Sequence, residues 1–262
     1  MQPLTIAVQP NMARDTASPK SKNSTAQQLM SSRAAKPPAS LALLQPACFP
    51  DLYYLAALLR SERLILQDTE PISRKGHVHR GLIRTPAGTQ WIHVPVRSED
   101  RGKPIREVRL ATSRKWTGKL METLAYNYRN SLYFDFYEPE VRDDIEKALE
   151  TEFLIDLIRH LNQRLFTYLE VEHRAEWASE VGEYTPDPDE LSLRLGAKTL
   201  WQEQNGRHYQ RQAAMVTPMP FHHPEYRQHF EGFEPGCCLY DLLFQFGPES
   251  WRVIDQLKQR NQ

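Results

Sequence analysis

Residues 41–97 read LALLQPACFPDLYYLAALLRSERLILQDTEPISRKGHVHRGLIRTPAGTQWIHVPVR. Leu41 to Leu44 is a continuous apolar run, the pattern of a strand buried on both faces. It ends at Gln45-Pro46. Asp51, just after Pro50, suits a helix N-cap, and Leu52, Leu55, Ala56 and Leu59 follow at helical spacing. Leu64 to Leu66 is a second buried strand, with Asp68 just beyond it. Polar groups thus gather where buried elements end, as they do around the ligand crevice of an open α/β sheet. Free N–H groups at the helix start would add an anion site, although spacing alone favours a plain strand-to-helix connection.

Outward from this unit, Ser73 to Arg80 is a basic loop rising into a strand. His77 and His79 alternate and so share a face, but no third ligand at a suitable interval completes a metal site. Gly81 to Pro95, with a turn at Pro86 to Gly88, reads as a hairpin. A further strand is expected over Ile105 to Leu110. Trp116, Leu120 and Leu124 step along a helix with Ser113 as its cap, and aromatic residues including Tyr126 crowd its exit. Val141 to Phe166 is a long helical stretch divisible into two, followed by a strand-like Tyr168 to Val171. A short helix ends at Leu195-Gly196, and Thr199 to Trp201 reads as a strand. Trp251, Ile254 and Leu257 mark a last amphipathic helix. The expected fold is α/β: a single domain with a mixed or mostly parallel sheet flanked by helices, a β-hairpin insertion and a disordered N-terminal tail.

Residues 1–40 form that tail, rich in Ser, Ala, Lys and Pro, and residues 41–262 form the domain. The tail has too little apolar content to offset the entropy of ordering. Its Leu4-Thr5-Ile6-Ala7-Val8-Gln9-Pro10 echoes Leu41 to Pro46, so either copy is able to supply the first strand. No apolar run approaches the roughly 18 to 20 residues of a membrane span. Three cysteines fit neither a disulfide framework nor a zinc spacing, which points to a reducing cytoplasm.

The 262 residues carry 33 basic and 33 acidic side chains, for a net charge of zero. The balance is uneven: residues 1–40 are +4, 41–115 are +6 and 116–262 are −10. An anionic small-molecule ligand is therefore expected on the N-terminal half of the domain. DNA is not, because nucleic-acid readers are strongly basic and this domain is net negative. There is no G-x-G-x-x-G, Walker loop, G-x-S-x-G or H-E-x-x-H, so dinucleotide oxidoreductases, P-loop enzymes, α/β-hydrolases and zincins are disfavoured. No cofactor is indicated. Asp241 lies inside the apolar run Cys237 to Phe246, where a carboxylate must be paired, protonated or used.

The order of motifs carries a resemblance. Gln45-Pro46, Phe49-Pro50 and Tyr54 are followed by an apolar strand ending at Asp68, by Arg80 and Ile83, and by Gly88-x-x-Trp91-Ile92-x-Val94-Pro95-Val96. Then come Trp116, Tyr126, Tyr133-Phe134, His223-Pro224-x-Tyr226, and Asp241-Leu242-Leu243-Phe244 with Gly247-Pro248. Together they resemble the WbqC-like protein family over about residues 41–250. The resemblance implies a role in bacterial surface-polysaccharide (O-antigen) biosynthesis, as a transferase of glycine or another aminoacyl group to a sugar.

On that reading Gln45, Tyr54, Arg80 and Tyr126 bind substrate, with Arg80 as counter-charge to an anionic or aminoacyl donor. Asp68, Asp241 or His223 deprotonates a sugar-type acceptor. Gln45, Asp68, Arg80, His223 and Asp241 are then expected to converge on one mouth. The rivals are a non-catalytic ligand-binding or scaffold protein and a nucleotide-activating enzyme, each using the same cleft. Oligomeric state is not legible.

Overall fold

The computed structural model describes residues 38–73, 76–202 and 213–258, so the N-terminal tail and the Leu4 to Pro10 echo lie outside the described residues. The core is a five-stranded parallel sheet. Its strands are β1 (Ser40–Leu44), β2 (Arg63–Leu66), β5 (Glu176–Trp177), β6 (Thr199–Gln202) and β7 (Val216–Pro218), in the order β5-β2-β1-β6-β7. Leu41 to Leu44 pair in register with Arg63 to Leu66, and Ser40 to Ala42 pair with Thr199 to Trp201 on the other side. The chain therefore leaves β1 toward one edge and returns beside it from the other. Such a reversal is where open sheets place their ligand crevice, at the carboxyl ends of the strands.

Alternation along the strands divides the apolar residues between two faces. Ala42, Leu44, Leu64 and Leu66 belong to the large core, while Leu41, Leu43 and Ile65 join Ala178, Leu191 and Leu200 in a small one. Both faces are buried, which explains the unbroken apolar runs.

The large core is covered by α1 (Leu52–Arg60), α2 (Trp116–Tyr128), α3 (Phe134–Glu146), α4 (Leu154–Tyr168), α6 (Leu239–Phe246) and α7 (Trp251–Lys258). The small core lies under α5 (Pro188–Leu195), which is capped by Asp187 and stopped by Gly196 at φ 65°. The hairpin is a separate two-stranded ribbon, β3 (Arg80–Thr85) and β4 (Gly88–His93), with Arg80 opposite His93.

Three expectations need correction. Ile105 to Leu110 is not a strand: Ile105–Glu107 is a single 3-10 turn. Its backbone is pinned by loops, with Ile105 N and Arg106 N donating to the carbonyls of Glu70 and Asp68, and Arg109 N donating to the Asp100 carboxylate. Tyr168 to Val171 is the end of α4. Val171 N donates to Phe166 O across a left-handed Glu170 at φ 55°, a helix-stop arrangement. Ser113 does not cap α2, whose N-cap is Lys115, with no side-chain bond.

Candidate functional site

The carboxyl end of β1 delivers Gln45 to the interior. Its residue is 1% exposed, yet neither Nε2 nor Oε1 has a hydrogen-bond partner among the described residues. A buried amide without partners is costly, so such groups in native structures call for an explanation. Gln67, at the end of the neighbouring strand, donates its N–H to Leu44 O at 2.8 Å and is itself buried.

The segment Gly76 to Gly81 runs alongside the turn at 45–49. Cys48 N donates to Val78 O at 2.8 Å. A Cβ on Gly81 would stand 2.5 Å from the Phe49 Cβ, and one on Gly76 would stand 3.7 Å from Oε1 of Gln45. The Gly76 carbonyl accepts from Arg80 Nε at 2.9 Å, and the Arg80 guanidinium lies 4.2 Å over the Trp91 ring. Gln45, Gly76, Arg80 and Trp91 thus form a continuous line from sheet end to hairpin. Thr69 Oγ1 and His79 Nδ1 are two more buried atoms without partners in this polar region. Burial, aided by Arg80 and His93, pushes the His79 pKa down to about 4, so the ring is neutral at pH 7.

Asp68, at the end of β2, is 1% exposed. Its Oδ1 accepts from Ser179 N at 2.9 Å and its Oδ2 from Ser179 Oγ at 2.5 Å. Ser179 lies two residues past the end of β5, so this pair ties together the carboxyl ends of two adjacent strands.

Asp241 sits elsewhere, in the first turn of α6 and fully buried. Its Oδ1 accepts from Tyr128 OH at 2.8 Å, and its Oδ2 accepts from Tyr226 OH at 2.7 Å and Gln228 Nε2 at 3.1 Å. Burial raises its pKa, against the three hydrogen bonds and the nearby Arg84. Tyr128 OH also accepts from Arg84 N. Arg84 lies four residues along β3 from Arg80, about 13 Å at roughly 3.3 Å per residue. His223 belongs with this second cluster. Its Nε2 accepts from Gly236 N at 3.0 Å, and its Nδ1 is 3.2 Å from Pro224 O. That arrangement matches a neutral ring with its proton on Nδ1.

The five side chains expected at one mouth therefore divide. Gln45 and Asp68 stand at the carboxyl ends of adjacent sheet strands, Arg80 meets that end from the hairpin through Gly76, and the hydrogen bonds of His223 and Asp241 tie them to the second cluster. Tyr54 is buried on α1, its hydroxyl 3.0 Å from His173 Nε2, and burial raises its pKa. Tyr126 is 75% exposed on α2. At the start of α1 the Asp51 carboxylate accepts from Tyr54 N at 3.0 Å, so the chain's own anion caps that end. Ser179 and Trp91 were not read as site residues from sequence. The two-residue strand before Ser179 is too short to leave a periodic signal.

Three comparisons bear on identity. The model of the WbqC-like protein family matches residues 45–253. Uncharacterized protein Rv1507c of Mycobacterium tuberculosis is 24% identical over 245 residues, covering 80% of this chain and 95% of that protein. No solved structure matches.

Proposed function

Because the chain belongs to the WbqC-like protein family, we propose that it is a transferase, carrying glycine or another aminoacyl group from an activated anionic donor to a sugar of bacterial surface (O-antigen type) polysaccharide. The observation that carries this reading is Gln45, whose amide is buried and, among the described residues, unpartnered at the reversal point of the sheet. Its free N–H and C=O suit a ligand that presents an acceptor and a donor side by side. Arg80 supplies positive charge across Gly76.

Asp68 is the base of this proposal. Each of its oxygens accepts one bond from Ser179, which fixes the carboxylate and leaves a second lone pair on each. The acceptor's amine or hydroxyl attacks the acyl carbonyl, its proton passes to Asp68, and the donor's leaving group departs with the bonding electrons. Asp241 and His223 support the wall behind the site through their own networks. The reaction is assigned to the cytoplasm, and no helix among the described residues is long and apolar enough to cross a membrane.

The test is mass spectrometry of an amino-sugar acceptor incubated with an activated glycyl donor. Glycyl addition by the wild-type chain, abolished in folded Asp68→Asn, is the expected result. A second reading, a non-catalytic binding protein, draws on the fact that Asp68, Asp241 and His223 all have internal hydrogen-bond partners. Donor binding without transfer, unchanged in Asp68→Asn, would favour it.

A further inference from the structure

A groove of about 550 Å³ runs between β4 and the start of α2, lined among others by Gln90, Trp91, His93, Lys115, Trp116 and Lys119. The volume is ample for a small-molecule ligand. No carboxylate lines it among the described residues. Trp91 is 41% exposed even with Arg80 over one face of its ring. Lys115 and Lys119 are exposed and one helical turn apart. The first turn of α2 holds no acidic residue, and no side chain caps it, so the positive end of this 13-residue helix faces no negative charge of its own.

We propose that this groove binds a nucleoside diphosphate, its base stacked on indole and its phosphates held by Lys115, Lys119 and the start of α2. Each part follows from chemistry. Indole faces take a flat ring. Point cations on flexible stems suit phosphate oxygens, which need charge rather than a fixed fork. A neutral sugar is disfavoured, because its hydroxyls need acceptors and the groove offers no carboxylate.

Trp91 is shared between groove and crevice through Arg80, which bonds Gly76 beside Gln45. Groove and crevice are thus neighbours across Trp91 and Arg80, and the nucleotide's role as the carrier of the donor rests on the crevice being the donor site.

The experiment is calorimetric titration of the full chain with UDP, ADP, inorganic pyrophosphate and glucuronate at fixed salt, alongside folded Lys115→Glu, Lys119→Glu and Trp91→Ala variants. Both nucleotides should bind, more tightly than pyrophosphate or glucuronate. Each lysine reversal and Trp91→Ala should weaken them by about tenfold or more, a loss of the size expected for one charged or stacked contact. The proposal is overturned by absence of nucleotide binding, by pyrophosphate binding equally well, by glucuronate binding better, or by full affinity in both lysine variants. Glycyl transfer without nucleotide binding would remove the groove assignment alone, whereas nucleotide binding without transfer would remove the transferase reading alone.

Discussion

Ser179 donates twice to Asp68, through its N–H at 2.9 Å and its hydroxyl at 2.5 Å, joining the ends of β2 and β5. Asp68→Ala removes the acceptor of both bonds, although Ser179 itself is exposed and its donors keep access to water. We expect a loss of about 3–5 kcal/mol, from two hydrogen bonds to a charged group at roughly 1.5–3 kcal/mol each. Ser179→Ala removes only the hydroxyl bond and should cost about 1.5–3 kcal/mol. Urea denaturation of the pair of variants checks the order. Equal losses would mean that the backbone N–H contact contributes nothing.

Gln45→Leu should behave in the opposite sense. Removing an amide that has no partner costs no hydrogen bond, and an apolar side chain of similar size suits its surroundings. Stability should stay level or rise by about 1–3 kcal/mol, while donor binding is lost. A variant that is markedly destabilised on denaturant unfolding would show that the amide is satisfied in the folded protein.

The pH dependence follows from two imidazoles. Burial lowers the pKa of His173 to about 4, and burial together with Arg80 and His93 does the same for His79. The unfolded chain holds these protons at pKa about 6.5, so between those values it binds more protons than the folded chain. The stability is fully present above about pH 6.5 and is lost as pH falls toward 4. Asp241, with its raised pKa, works the other way, and stability falls as pH rises through the carboxylate range toward that pKa. Thermal midpoints measured from pH 7.5 to 4.5 should decline, and His173→Gln should flatten the decline. An unchanged slope in that variant would remove His173 from the account.

Glu170 is the only residue other than glycine with positive φ among the described residues. It stands where helix stops favour glycine. Glu170→Gly should stabilise the protein by about 0.5–1 kcal/mol, readable as a raised denaturation midpoint with unchanged m-value.

The parallel core was legible because Leu41 to Leu44 and Leu64 to Leu66 are apolar on both faces, a pattern with few alternative readings. The hairpin was legible from its turn, and the end of α5 from Leu195-Gly196, whereas its start at Pro188, capped by Asp187, was hidden in an acidic proline-bearing stretch that reads as loop. Ile105 to Leu110 misled because its apolar residues fill the core from a turn, held by Glu70, Asp68 and Asp100, which are distant in sequence or of ambiguous role. For the site, what was legible is position: Gln45 and Asp68 stand at the carboxyl ends of adjacent parallel strands, where the apolar runs break off. Partnership was not legible. Nothing near Asp241 announces Tyr128, which reaches it from 113 residues away, and nothing near Asp68 announces Ser179, which is 111 residues distant.

Gly81 presses its backbone against Phe49 so closely that a methyl group has no room. The strand bearing Arg80 and the turn following Gln45 are in effect one jaw, with no slack between its two plates. Any motion that admits a ligand must carry Arg80 and Gln45 together, so the spacing between charge and amide acts as a fixed gauge of what can be held. Alanine at position 81 would act as a shim, widening that gauge without touching either side chain.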